Sequence, residues 1–142
     1  MKVYADASLI VSAFTDELTS VGSRAWLATL PQDALLASKW CETEVASALA
    51  MKVRTGALPP EARLPVLRMV RDMLAAAATM VAIDATHFNR ATDLLERSDK
   101  GLRAGDALHL AIAADAGAKL FTLDRRMAEA GLGLGLDVQL LG

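Results

Sequence analysis

A chain of 142 residues has room for one hydrophobic core and not two, so residues 1–142 are read as a single domain. At 54% hydrophobic and 23% charged, with mean hydropathy +0.32, it is too apolar for a disordered chain. Its formal net charge of −2, from 15 Lys and Arg against 17 Asp and Glu, excludes a uniformly basic nucleic-acid binder, and its one cysteine, Cys41, excludes an internal disulfide and fits a cytoplasmic protein.

Val3–Ala5 is a short apolar run ending in Asp6 and predicts a strand. Leu9–Phe14 predicts the start of a helix, and Asp6 interrupts the apolar run that an export signal needs. Ser23–Leu30 predicts a second helix, stopped by Pro31, and Ala34–Ala37 a second strand. Over Trp40–Val53, Val45, Ala48, Leu49 and Lys52 recur at helical spacing, and Gly56 is placed to end that helix before Pro59 and Pro60. Glu61–Ala78 predicts a helix with Leu64, Leu67, Val70 and Leu74 on one face. It begins near Leu64, because Pro65 is tolerated only in a first turn.

Met80–Ile83 predicts a third strand, and Asp84 caps a helix carrying Phe88, Ala91 and Leu95. The longest apolar stretch, between Asp72 and Asp84, is shorter than the roughly 20 residues that cross a bilayer. Ala104–Ala116 is the clearest helix, ended by Gly117. Lys119–Thr122 predicts a fourth strand, Asp124–Ala130 a short helix and Val138–Leu141 a fifth strand. Gly131, Gly133 and Gly135 alternate with leucines and read as a loop.

This alternation predicts an α/β fold, a three-layer α/β/α sandwich around a central parallel sheet of four to five strands. Ligands of such sheets gather outside the carboxyl ends of the strands. Asp6 and Asp124 stand at two of those ends, and Asp106 opens the clearest helix. An Asp between strand and helix is also an ordinary N-cap. Asp84 is read as one, and Asp124 fits both readings. Asp6 and Asp106 lie in apolar surroundings, where two carboxylates need protonation or a cation. Mg2+ suits oxygen donors, and no thiolate or imidazole cluster points to zinc. His109, three residues after Asp106, is read as a packed, hydrogen-bonded histidine rather than a ligand. Ser8 is read as a residue supporting Asp6.

Three segments, VYADASLIVSAF, SKWCETEVASALAMKVRTGAL and GLRAGDALHLAIAADAGAKLFTLDRRMAEA, resemble in order and spacing those of PIN-domain ribonucleases, in particular the VapC-type toxins of bacterial toxin–antitoxin pairs. The resemblance implies that Asp6, Glu44, Asp106 and Asp124 hold one or two Mg2+ or Mn2+ ions and cleave RNA phosphodiesters. It selects Glu44, whereas Glu42 lies two positions away on the opposite helix face. It also marks Thr122 as a supporting hydroxyl. It further implies a small antitoxin partner and a homodimer, assembled with antitoxin into a heterotetramer or larger. Two other classes fit the acids: a phosphotransfer or phosphatase domain on a similar sheet, and a non-catalytic PIN-like scaffold. The phosphatase pattern wants a second Asp where Ser8 stands.

With two Trp, one Tyr and three Phe, the chain is poorly supplied for base stacking. Trp26 and Trp40 are read as core, and RNA recognition is expected through phosphates and shape. Arg103 is either a phosphate contact or a helix-start charge. Lys52–Asp72 offers an apolar face that either packs on the sheet or meets the antitoxin. Setting the four acids aside as one neutralised cluster leaves the rest of the chain at +2. Lys52, Arg54, Arg63, Arg68 and Arg71 then form a locally basic arm against Glu61 alone.

Overall fold

The computed structural model describes residues 1–142. Strands β1 (Val3–Ala5), β2 (Leu35–Ser38), β3 (Thr79–Val81), β4 (Lys119–Thr122) and β5 (Val138–Leu140) form one wholly parallel sheet in the order β3-β2-β1-β4-β5. Helices α1 (Ala7–Phe14), α2 (Ser20–Thr29), α3 (Lys39–Arg54), α4 (Arg63–Ala77), α5 (Ala85–Arg97), α6 (Ala104–Asp115) and α7 (Arg125–Gly133) supply the connections. Helix α1 packs against α2, α3 and α4, and α5 packs against α6. The chain crosses the sheet one way as far as β3 and then returns through β4 to β5. Right-handed crossovers therefore set these two groups of helices on opposite faces, giving the expected three layers. No helix is long and apolar enough to cross a membrane.

The core runs through the central strand. Val3, Tyr4 and Ala5 of β1 are all inaccessible to solvent, and around them pack Ile10, Leu36, Val45, Leu49, Val70, Leu110, Ile112 and Leu120. Each such aliphatic side chain removed from water contributes about 1.5–3 kcal/mol before the entropy of ordering it is subtracted. Because β1 pairs with β2 on one side and β4 on the other, the ends of β1 and β4 are neighbours. Ala5 lies opposite Phe121, and the Asp6 N–H donates to the Phe121 carbonyl.

Several predicted boundaries move for identifiable reasons. Helix α2 begins at Ser20, earlier than the periodicity predicts, because hydroxyls hold its start. Ser23 donates to Ser12, Ser12 pairs with Thr19, and Ser20 donates to the Thr15 carbonyl. The third strand is Thr79–Val81, since only those residues find partners on β2. Helix α4 is preceded by a short 3-10 turn, Pro60–Ala62, and carries Pro65 in its first turn. It meets the core from Val66 onward, so Leu64 stays 61% exposed while Leu67, Val70 and Leu74 are buried. The Leu67, Val70 and Leu74 stripe thus packs on the protein's own interior, while Leu64 and Met69 stay exposed.

On α5 the buried face is His87, Ala91 and Leu94 rather than the predicted Phe88, Ala91 and Leu95. His87 joins Asp84 in a reciprocal cap and takes the inward position, which turns the next residue, Phe88, outward. Gly131 and Gly133 belong to α7 and not to a loop. At Gly131 a Cβ would sit 2.6 Å from Val138 Cγ2, so the bare backbone is what lets α7 lie against β5. Trp26 and Trp40, expected in the core, are half-buried on its rim.

Candidate active site

Asp6, Glu44, Asp106 and Asp124 all line one cavity of about 510 Å3 at the carboxyl edge of the sheet. Glu17, Lys52 and Arg103 share it with Ser8, Thr19 and Ala48. Asp6 follows β1, Asp124 follows β4, Glu44 lies on the second turn of α3, and Asp106 on the first turn of α6. The strand order reverses direction at β1 and β4, which opens a crevice there.

Asp6 is the most deeply set, 4% exposed, and all of its bonds are local or cross the β1–β4 gap. Its Oδ1 accepts from the Leu9 N–H and the Ser8 hydroxyl, and its Oδ2 accepts from the Thr122 hydroxyl at 2.6 Å. Thr122 Oγ1 also accepts the Asp124 N–H at 2.9 Å, and Ser8 Oγ accepts the Leu123 N–H at 3.0 Å. Two hydroxyls therefore tie the ends of the two central strands together through one carboxylate. This is the supporting part expected of Ser8 and Thr122. Burial pushes the Asp6 carboxyl above its ordinary value, against the pull of the Ser8 and Thr122 hydrogen bonds.

Asp124 serves two purposes with two oxygens. Its Oδ1 caps α7 by accepting from the Met127 N–H, and its Oδ2 accepts from Arg103 Nη2 at 2.6 Å. Arg103 Nε donates to Asp106 Oδ2 at 3.2 Å, so a single guanidinium bridges the two acids. Burial raises the Asp106 carboxyl most. Arg103 opposes that rise, and Asp124 and Glu44 add to it. The two aspartates in turn lift the Arg103 guanidinium above its usual value. Both readings of Arg103 meet here: it is a helix-start charge, and it stands at the cavity.

The two glutamates of α3 separate cleanly. Glu42 turns away to Arg71 Nε at 2.7 Å and Lys39 Nζ at 3.1 Å, and Arg71 chiefly holds its carboxyl below the usual range. Glu44 faces the cavity, and its Oε1 is bonded to His109 Nε2. His109 Nδ1 meets the Tyr4 hydroxyl at 2.8 Å, which meets Ser38 Oγ at 2.8 Å and receives the Cys41 thiol at 3.3 Å. A buried polar column thus runs from the centre of the sheet to Glu44. Burial by itself lowers the His109 pKa. Cys41 and the Glu44 carboxylate outweigh it and hold the value at about 10. As read from sequence, His109 is packed and hydrogen-bonded.

Gly105 completes the approach of α6 to α3. A Cβ there would lie 3.0 Å from Glu44 Oε2 and 3.2 Å from Trp40 Cζ2, and its carbonyl accepts the Trp40 indole N–H at 3.1 Å. Sequence reasoning missed the Tyr4–His109–Glu44 column and the Lys52–Glu17 ion pair, 3.1 Å, at the other end of the cavity. Only His109 carried a signal, through its i,i+3 spacing from Asp106.

No three of the acidic, histidine or cysteine side chains are gathered closely enough to hold a metal ion as they stand, and the Arg103 guanidinium spans two of the four carboxylates. Their chemistry fits a hard divalent cation all the same. The donors are all oxygens, and a positive group already bridges two of them. Asp6 and Asp106 both hold their protons more tightly than ordinary carboxyls, as negative charge in a poorly solvated place does.

The chain is similar in fold to several solved structures. VapC20 of Mycobacterium tuberculosis, described as a toxin cleaving the sarcin–ricin loop, shares 15% identity over 92% of this chain and 95% of its own, with a TM-score of 0.73. A VapBC2 structure from Rickettsia felis, bound to a fragment of its promoter DNA, shares 14% over the full length of both chains, with a TM-score of 0.67. A toxin–antitoxin complex from Klebsiella pneumoniae shares 16% over 87% of each chain, with a TM-score of 0.64. No curated protein matches significantly. The family model described as the PIN domain matches residues 3–132, and the chain belongs to the PIN-domain family.

Proposed function

We propose that this protein is a metal-dependent endoribonuclease, the toxin of a bacterial toxin–antitoxin pair, acting in the cytoplasm. The observation that carries this reading is the meeting of Asp6, Glu44, Asp106 and Asp124, from four separate elements, in one cavity beside a bridging arginine. Family membership and the fold shared with VapC-type toxins support it. Its substrate is RNA. Its partners are a small antitoxin and a second copy of the chain, combined as a heterotetramer or larger.

Asp6 and Asp106 would be the main holders of Mg2+, with Mn2+ as a substitute, and Asp124 and Glu44 would complete the set directly or through water. The ion, when bound, supplies Lewis-acid contact to the phosphate and a water of lowered pKa. Ser8, Thr122 and the Leu9 N–H fix both oxygens of Asp6. His109 fixes one oxygen of Glu44 and leaves Oε2 to orient the attacking water and take its proton. Water adds to phosphorus, the P–O bond to the leaving oxygen breaks, and that oxygen is protonated from solvent at the open mouth of the cavity. Little stacking surface borders the site, so RNA is held by phosphates and shape, and binding weakens with salt.

The test pairs cleavage with metal binding. Purified wild type with Mg2+ is expected to cut RNA, and Asp6→Asn and Asp106→Asn are expected to lose cleavage while keeping the wild-type circular dichroism. Wild-type turnover in either variant would refute the assignment. Calorimetric titration with Mn2+ separates the enzyme from a non-catalytic scaffold, which would show no site that Asp6→Asn removes.

A further inference from the structure

Asp124 divides its two oxygens. Its Oδ1 caps α7 by accepting from the Met127 N–H, and its Oδ2 is the oxygen bonded to Arg103, which lines the cavity. Arg103 already holds that oxygen at 2.6 Å and holds Asp106 Oδ2 with the same guanidinium. A divalent ion bound between Asp106 and Asp124 would compete with the guanidinium for these two carboxylates. It would stand within a few ångströms of the guanidinium, and two positive groups so close repel strongly away from bulk water. The arginine is free to leave. Its side chain is 62% exposed, and it forms no cap bond to α6 although it sits at that helix's N-cap. Its backbone, by contrast, is fixed by the helix it precedes, so the displaced guanidinium sweeps only the mouth of the cavity. A phosphodiester must enter by that mouth, and a guanidinium fork grips phosphate as well as it grips carboxylate.

Resting on the ribonuclease reading, we infer that Arg103 is an exchange residue: it neutralises Asp106 and Asp124 in the resting protein, yields them to the divalent cation, and transfers to the RNA phosphate. Two consequences follow from the shared carboxylates. The resting protein resists metal, because the ion must first displace a resident cation. A phosphate that captures the guanidinium frees the acids, so RNA and metal favour each other's binding by equal factors.

The test is Mn2+ calorimetry without RNA on wild type, Arg103→Gln and Asp106→Asn. Arg103→Gln is expected to bind Mn2+ on the order of tenfold more tightly, the scale of a typical coupling between two sites. At saturating Mn2+ its RNA cleavage is expected to fall at least about a hundredfold, as on removing one donor to a developing charge. In wild-type protein, the Arg103 Nε–H resonance is expected to shift with Mg2+ at the midpoint of binding, a readout that needs no variant to fold. Unchanged or weaker Mn2+ affinity in Arg103→Gln overturns the exchange, and so does an Arg103 resonance that ignores Mg2+. If wild type takes up Mn2+, Asp106→Asn abolishes it and Arg103→Gln leaves it unaltered, the exchange alone fails. If neither wild type nor Arg103→Gln takes up Mn2+, the metal site fails and the exchange with it.

Discussion

Asp6 and Asp84 obey the same local rule and end in opposite circumstances. Each follows a strand, adopts an extended backbone and caps the next helix with its side chain. Asp84 follows β3 at the edge of the sheet. Its carboxylate is 67% exposed, and hydrogen bonds from Thr86 chiefly hold it below the usual range. Asp6 follows β1 at the centre, is buried, and is raised by that burial. The local cap is of the same kind in both places. The difference lies in what stands beside the strand end. β4 brings Thr122 and Asp124 to Asp6, whereas β3 has β2 as its single neighbour. Position in the sheet, not the local motif, turns a cap into a site.

The sharpest way to break this contrast is to make the same substitution at both positions. Asp6→Asn should lower RNA cleavage about a thousandfold, the rate equivalent of the several kcal/mol of charge stabilisation a Lewis acid provides. Asp84→Asn should leave cleavage within about twofold, as surface changes outside a site do. Equal losses in a turnover assay at saturating Mg2+ would mean that strand position does not matter.

The two histidines repeat the contrast on a smaller scale. Both are buried and bonded through both ring nitrogens, His87 to the Asp84 N–H and to Asp115, His109 to Tyr4 and to Glu44. Replacing either by Leu should cost about 1–3 kcal/mol of stability, because polar partners are left without a bond. His109→Leu should in addition weaken Mn2+ binding about 10–100-fold, as loss of a residue that orients a ligand does. His87→Leu should leave Mn2+ binding unchanged. Thermal melts read the shared cost, and calorimetry reads the difference.

The legible part of this protein follows the same line. The alternation of apolar runs with helical periodicity predicted five strands in place, because β1 and β2 are buried throughout and β4 carries Leu120 and Phe121 at its middle. Edge strand β3 is exposed and only three residues long, and its limits were the least visible. Asp6 and Asp106 stood out as charges in apolar surroundings. Glu44 did not, since on α3 it looks like any solvated helix charge until His109 arrives from 65 residues away. Resemblance selected it over Glu42, and the fold gives the physical reason, an imidazole on one side and Arg71 on the other. Arg103 was ambiguous in sequence because its two partners, three and 21 residues on, meet only when α6 packs against β4.

The smallest expected effect is on stability, and its sign separates the two aspartates. Asp6 and Asp106 have raised carboxyl pKa values, so the folded protein binds their protons more tightly than the unfolded chain does. Their contribution is fully present below the ordinary carboxylate pKa and is lost as pH rises through the raised folded values. Asp84 has a lowered pKa and contributes in the opposite sense, above the ordinary value and not below the folded one. At pH 7, without divalent metal, Asp6→Asn should therefore raise the melting temperature. Asp84→Asn should lower it slightly. If the acid cluster holds the ion as proposed, added Mg2+ should stabilise wild type and not Asp6→Asn, because the unfolded chain has no such site. A melting curve in which Asp6→Asn is less stable than wild type at pH 7 would show that its hydrogen bonds to Ser8 and Thr122 outweigh the burial of its charge. The centre and the edge of the sheet would then treat a capping aspartate alike in stability, and the contrast would rest on chemistry alone.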